Sequence, residues 1–230
     1  PLRRLDRRRA AEGAQFAANS DLVRRRVERA WGAEARVIFP PADTTRISSV
    51  PEWSAELSEP ESALLESLPD TFVLGASRFV PYKRLDWVIR AADLAGLPVV
   101  VAGSGPEEAR LRKLADEARV PVRVLARPSD EMLYALYQRA HVYVFPAIED
   151  FGIMPVEARA AGARVIVNEL GGAGETVVEG VDGLHFRDDS VESLAECIAA
   201  VDKVPRRGRG SVAELSSERF RADIRNWVSS

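Results

Sequence analysis

Five short apolar runs, TFVLGAS, PVVVAGS, PVRVLA, HVYVF and ARVIV, follow one another between residues 71 and 167. They are rich in β-branched side chains and show no polar alternation, the pattern of strands covered on both faces in a parallel sheet. Between them lie LDWVIRAADLAG, PEEARLRKLADEAR, SDEMLYALYQRA and PVEARAAG, each with helical periodicity. Repeated strand-helix units of this length leave few folds open. The expectation is an α/β chain, a doubly wound parallel sheet with helices on both faces, whose ligand sits at the carboxyl ends of the strands.

That rule directs attention to the loops that leave the strands: SRFVPYKR, GSGPEE, ARPSDE, PAIEDFGIM and NELGGAGE. The fourth is the richest. It carries EDFGIMPVE, with Glu149 and Glu157 at its ends, before a short helix whose start Pro155 and whose end Gly162 are expected to mark. Phe151, Gly152 and Ile153 would present free backbone N–H groups at a helix mouth, where anions bind and where glycine permits close approach. An anion in the middle and hydroxyl-seeking carboxylates at the edges imply a ligand that holds both phosphate and sugar.

In the first loop, Arg78 and Lys83 are spaced to converge on one crevice, and two cations there can neutralise a diphosphate. The second has Gly103 and Gly105 but Glu108 in place of the third glycine of G-x-G-x-x-G. A nicotinamide or flavin cofactor is therefore not expected, and the glycines read as a tight turn. The third offers main chain at Arg127 and Pro128, ahead of a helix capped by Ser129, that could meet a base edge. The last, with Gly171, Gly172 and Gly174, reads as a turn before a helix that Glu175 would favour through the macrodipole.

Composition removes other classes. The single cysteine, Cys197, excludes an internal disulfide and a cysteine-based metal site, and it reads as a small packed hydrophobe. His141 and His185 sit in apolar runs and read as packed, hydrogen-bonded side chains. No H-E-x-x-H, D-x-D, G-x-S-x-G or G-K-[ST] element occurs, so protease, lipase and P-loop readings have no support. A net charge of −3 argues against wholesale nucleic-acid binding. No apolar run approaches the roughly 18 residues of a membrane span, and a soluble chain is expected.

Ahead of the repeating units, PLRRLDRRR holds five arginines and reads as a solvated helix face. Asn19 or Ser20 can cap a helix that runs to Gly32. ARVIFPPAD gives a short strand, and TTRISSVPEWSAELSEPES, polar and marked by prolines, reads as a loop or linker.

These blocks, in this order, resemble the C-terminal domain of group-one (family four) glycosyltransferases of GT-B fold. The resemblance covers about residues 35–203, and Glu149 with Glu157 matches that family's E-x7-E motif. It implies that Arg78 and Lys83 hold the donor diphosphate and that the amides of Phe151, Gly152 and Ile153 meet phosphate and donor sugar. Glu149 would bind sugar hydroxyls, Glu157 the ribose, and the main chain near Arg127 and Pro128 the base. Ala126 departs from the glycine often found there, which weakens the base assignment. Residues 1–40 resemble the tail of an acceptor-binding domain with its crossover, and 41–69 a linker and lead-in helix. Residues 70–205 would form the donor-binding domain, and 206–230 a terminal helix crossing back.

The implied activity of the full enzyme is transfer of a sugar from a nucleotide diphosphate sugar to an acceptor hydroxyl, with retention of configuration and without a metal or other cofactor. The partners implied are the nucleotide-sugar donor and, through the domain not contained here, an acceptor glycan or lipid, with no nucleic acid. A cytoplasmic location, at most against the inner membrane face, and cell-envelope glycan synthesis follow as expectations. A nucleotide-sugar epimerase, a phosphorylase of the same architecture, or a non-catalytic sugar-nucleotide binding module remain the alternatives.

Overall fold

The computed structural model describes residues 2–10, 12–206 and 212–229. Residues 207–211 and 230 of the expected terminal segment, and 1 and 11 of the expected leading segment, lie outside the described residues. The chain opens with α1 (Leu2–Ala10), β1 (Phe16–Ala18), α2 (Asp21–Trp31) and β2 (Ala35–Val37). β1 and β2 pair in parallel, Phe16 beside Ala35 and Ala18 beside Val37. Of the two candidate caps for α2, Ser20 does the capping, accepting from Val23 N–H, and Gly32 closes the helix with a φ of 67°.

The stretch expected to be a loop is folded instead into α3 (Thr44–Ser49), a 3-10 turn (Trp53–Glu56) and α4 (Glu59–Glu66). Trp53 is the reason. Its ring packs on Tyr134 with centroids 4.8 Å apart, its indole N–H donates to Ile47 O, and its backbone N–H donates to Gln138 Oε1. Burial of one large aromatic against a distant helix outweighs the weak local pattern. α4 begins in a capping box formed by Ser58 and Glu61.

The remainder is β3 (Val73–Arg78), α5 (Leu85–Ala95), β4 (Val99–Ser104), α6 (Glu108–Glu117), β5 (Val122–Ala126), α7 (Asp130–Arg139), β6 (Val142–Phe145), α8 (Ile153–Ala160), β7 (Val165–Asn168), β8 (Gly183–Phe186), α9 (Val191–Ala200) and α10 (Ser217–Val228). All six strands from β3 to β8 are parallel, in the order β5-β4-β3-β6-β7-β8. The doubly wound sheet is thus as expected, with one strand more: β8, from GLHF, is too short for its period to show.

Alternate residues face two cores. Leu74, Ala76, Tyr143, Phe145, Val165 and Val167 join the layer that holds α7 and α8. Val73, Val142, Val144 and Ile166 join the layer that holds α5 and α9. Burial on both faces explains why these runs carry no polar alternation. The order of strand addition reverses between β3 and β6, which are parallel neighbours although two strands intervene in sequence. A doubly wound sheet opens its crevice at such a switch point.

Candidate functional site

The end of β3 and the loop after β6 meet there. Arg78, Tyr82, Lys83, Glu149 and residues 150–154 line one cleft of about 590 Å³, together with Asn19 and Pro40. The last two follow β1 and β2, so the carboxyl ends of both sheets face the same space. Six of the expected site residues are therefore brought together: Arg78, Lys83, Glu149, Phe151, Gly152 and Ile153.

Their arrangement refines the expectation. Lys83 is largely buried, with 8% of its side chain exposed, and its Nζ contacts the Glu149 carboxylate, itself 21% exposed. The Lys83 ammonium also lies 5.1 Å from the centroid of the Phe145 ring. Its charge is thus already balanced inside the protein. Arg78 is exposed and donates to the Tyr82 hydroxyl at 2.8 Å, which leaves it, among the described residues that line the cleft, the cation available to an anion there.

α8 starts at Ile153, two residues before Pro155, because Gly152 takes the N-cap position with a φ of 91°. A Cβ on Gly152 would stand 2.9 Å from the Ala173 Cβ, so the loop can lie this close only with glycine there. No side chain caps the helix, and among the described residues no backbone acceptor meets the N–H groups of Gly152, Ile153 or Met154. Those donors line the cleft at the positive end of the helix dipole.

Glu157, Arg127 and Pro128 do not line this cleft. Glu157 turns toward Asp130, Asp43 and the tyrosines of α7. Burial pushes its carboxyl up to about 7, and repulsion from Asp130 and Asp43 adds to the shift. Asp130 begins α7 two residues after Pro128, so Glu157 borders the β5-α7 loop. Arg127 has a φ of 52° and donates its N–H to Gly103 O at 2.8 Å. A non-glycine residue in that region is strained, and the bond that Arg127 donates to the Gly103 carbonyl helps to hold it.

The glycine loops are explained by contact rather than by ligand. A Cβ on Gly103 would lie 1.9 Å from Ser77 O, and one on Gly172 would lie 2.0 Å from Asp150 O. Gly172 N–H donates to Glu149 O at 2.7 Å, tying the GGAGE segment to the site loop. That segment is a 3-10 turn (Gly172–Thr176), and Glu175 does not favour a helix of its own. Its carboxylate accepts from the N–H groups of Asp21 and Leu22 at 2.6 and 2.7 Å, capping α2 across more than 150 residues. Arg26 of α2 pairs with Asp150 in the site loop. Asn19, Pro40 and these two contacts escaped sequence reasoning, since only the preference of Asn19–Ser20 for a cap was visible locally.

The remaining titratable groups are packed. His141 lies 3.3 Å from Arg164 Nη2 and burial lowers its pKa, while His185 Nε2 lies 3.0 Å from Val177 O. Burial pushes the Cys197 thiol up to about 11. Arg159 on α8 donates to Thr176 O and to Asp182 Oδ2, clamping the GGAGE segment from beneath. Among the described residues no cluster of three or more His, Cys, Asp or Glu could hold a metal ion, and no helix is long and apolar enough to cross a membrane.

Residues 61–207 match the sequence profile of the family described as glycosyl transferases group 1. An exopolysaccharide phosphotransferase of Streptomyces coelicolor is 32% identical over 190 residues, 78% of this chain and 20% of its own length. A GDP-mannose-dependent alpha-(1-6)-phosphatidylinositol monomannoside mannosyltransferase of Mycobacterium tuberculosis is 31% identical over 217 residues, 86% of this chain and 55% of its own. The chain therefore spans between a fifth and about half of these curated relatives. In shape it matches Anabaena HepE, solved in complex with UDP and glucose, with a TM-score of 0.78 at 20% identity over 99% of this chain and 66% of that one. Sheet order, the cleft at its switch point and the extent of the family match converge, and the chain belongs to the group 1 glycosyl transferases.

Proposed function

We propose that the chain is the donor-binding part of an enzyme that moves a sugar from a nucleotide diphosphate sugar to an acceptor hydroxyl, with retention of configuration. The observation that carries this is the convergence of Arg78, the uncapped end of α8 and the Lys83–Glu149 pair in one cleft. When the glycosidic bond breaks, negative charge grows on the departing nucleoside diphosphate. Arg78 and the amides of residues 152–154 face the place where that charge would develop, without a metal. Lys83 is held by Glu149 within reach of the same space, and an entering phosphate would compete with Glu149 for it. Glu149 is then released toward sugar hydroxyls, and Glu157 with the Arg127–Pro128 main chain would take the ribose and base.

Residues 1–40 and α10 belong, in this reading, to the acceptor side. α10 supports it by bringing Trp227 to a groove lined by Phe16, Trp31 and Ala35. The acceptor, a glycan or lipid, would be bound mainly by the remainder of that side, in the cytoplasm or at the inner membrane face. The mycobacterial relative uses a GDP-mannose donor and the HepE structure holds UDP, so calorimetry with UDP, GDP and their sugars is the direct test. Arg78→Ala should weaken nucleoside diphosphate binding about 10-fold, the size of a charge-assisted hydrogen bond, with no change in melting temperature. Equal affinity of variant and parent chains would overturn the site assignment.

A further inference from the structure

Among the described residues, Asn19 is the one polar residue that the β1-α2-β2 unit contributes to the lining of the cleft, which Pro40, Arg78 and Lys83 also line. It follows β1 directly and precedes the fully buried cap Ser20, so its backbone is fixed from both sides. Two contacts fix the whole of α2 against the floor of the cleft. Glu175 accepts from both leading amides of α2, and Arg26 pairs with Asp150 beside Glu149. A carboxylate on a helix N-terminus gains from the dipole as well as from its two hydrogen bonds.

The Asn19 amide itself is barely used. Among the described residues it makes one hydrogen bond, Ser20 Oγ donating to Oδ1 at 3.4 Å, and its NH2 group meets no acceptor. A half-buried amide with free donors, held rigidly over a cleft, is matched to a group that both gives and takes hydrogen bonds. The charged parts of a diphosphate are answered elsewhere, by Arg78 and the end of α8. A neutral amide that shares the cleft with Glu149 suits hydroxyls instead.

We infer that Asn19 is a specificity-determining contact for the sugar half of a nucleotide sugar, positioned by the Glu175 cap on α2. The inference rests on the donor-site reading above and adds to it a wall that comes from the other sheet. Binding the nucleotide alone leaves Asn19 without a partner, while a nucleotide sugar reaches across to it. Because α2 is held in place before the ligand arrives, the contact forms at little ordering cost.

Calorimetric titration of the whole 230-residue chain with UDP, UDP-glucose, GDP and GDP-mannose tests this. Asn19→Ala should lower affinity for the better sugar nucleotide about 3- to 10-fold, the range of one neutral hydrogen bond, and leave the matching free nucleotide unchanged. Unchanged nucleotide binding also serves as the control for folding. Glu175→Gln keeps one acceptor oxygen but loses the charge, and should give a smaller loss confined to the sugar nucleotide. Equal losses on nucleotide and sugar nucleotide, or no loss on either, would overturn the inference while leaving the donor site standing. If the unsubstituted chain binds no nucleotide at all, the donor-site reading fails and this inference with it.

Discussion

Glu157→Gln separates an electrostatic penalty from a packing role. Burial raises the Glu157 carboxyl from 4.5 to about 7, and repulsion from Asp130 and Asp43 adds to the rise. The reciprocal effect is felt at Tyr134, pushed up to about 12 by burial first and by Glu157 second. An acid whose pKa is higher in the folded than in the unfolded chain makes folding less favourable once it must ionise. Below pH 4.5 the group is protonated in both states and has no effect. Between pH 4.5 and about 7 the folded state holds the extra proton, so stability falls as pH rises, and above 7 the penalty is complete. A shift of this size corresponds to about 3 kcal/mol as an upper bound.

Glutamine has nearly the same shape and never ionises. Urea denaturation followed by circular dichroism should show the variant less than about 1 kcal/mol more stable than the parent chain at pH 5 and up to about 3 kcal/mol more stable at pH 8. In melting temperature the gain at pH 8 is at most about 6–12 °C for a chain of this length. The difference between the two proteins cancels other titrations, including that of His141. A stability difference independent of pH, or a less stable variant at pH 8, would refute the argument. The same titration bears on the proposed ribose contact: an ionised Glu157 is the stronger acceptor for a hydroxyl, so under that proposal nucleotide affinity of the parent chain should rise between pH 6 and 8.

Two further outcomes are expected from the same geometry. Gly172→Ala places a methyl group 2.0 Å from Asp150 O and must move the site loop. It should destabilise by at least about 2 kcal/mol and weaken nucleotide binding, measured by thermal melting and calorimetry, whereas a stable variant with normal binding would mean the contact is soft. Asp182→Ala removes the carboxylate from a fully enclosed ion pair with Arg159 and should cost about 3 kcal/mol in urea denaturation. A loss under about 1 kcal/mol would show that Arg159 does not depend on this carboxylate.

Much of this was legible in the chain. Unbroken β-branched runs announce strands buried on both faces, and the loops after them named Arg78, Lys83, Glu149, Phe151, Gly152 and Ile153 as candidates for one crevice. β8 was not legible because four residues, GLHF, carry too little period to distinguish a strand from a turn. The segment around Trp53 misled for the opposite reason, since its polar, proline-marked composition hides one buried aromatic. Glu175 shows the limit most plainly. A carboxylate near a helix start invites the assumption that it serves that helix, yet its partners lie at Asp21 and Leu22.

By itself, then, the order of residues determined which stretches are strands, which faces they bury and which loops carry charge, because these depend on neighbours a few positions apart. Only the folded chain decided that β3 lies beside β6 rather than β5, and so that Arg78 and Glu149 share a cleft. It also decided that Lys83 is neutralised by Glu149 and that Asn19 arrives from a different sheet. Those choices are made by packing two hydrophobic layers on one twisted sheet, a balance among residues too far apart in the chain for any local pattern to record.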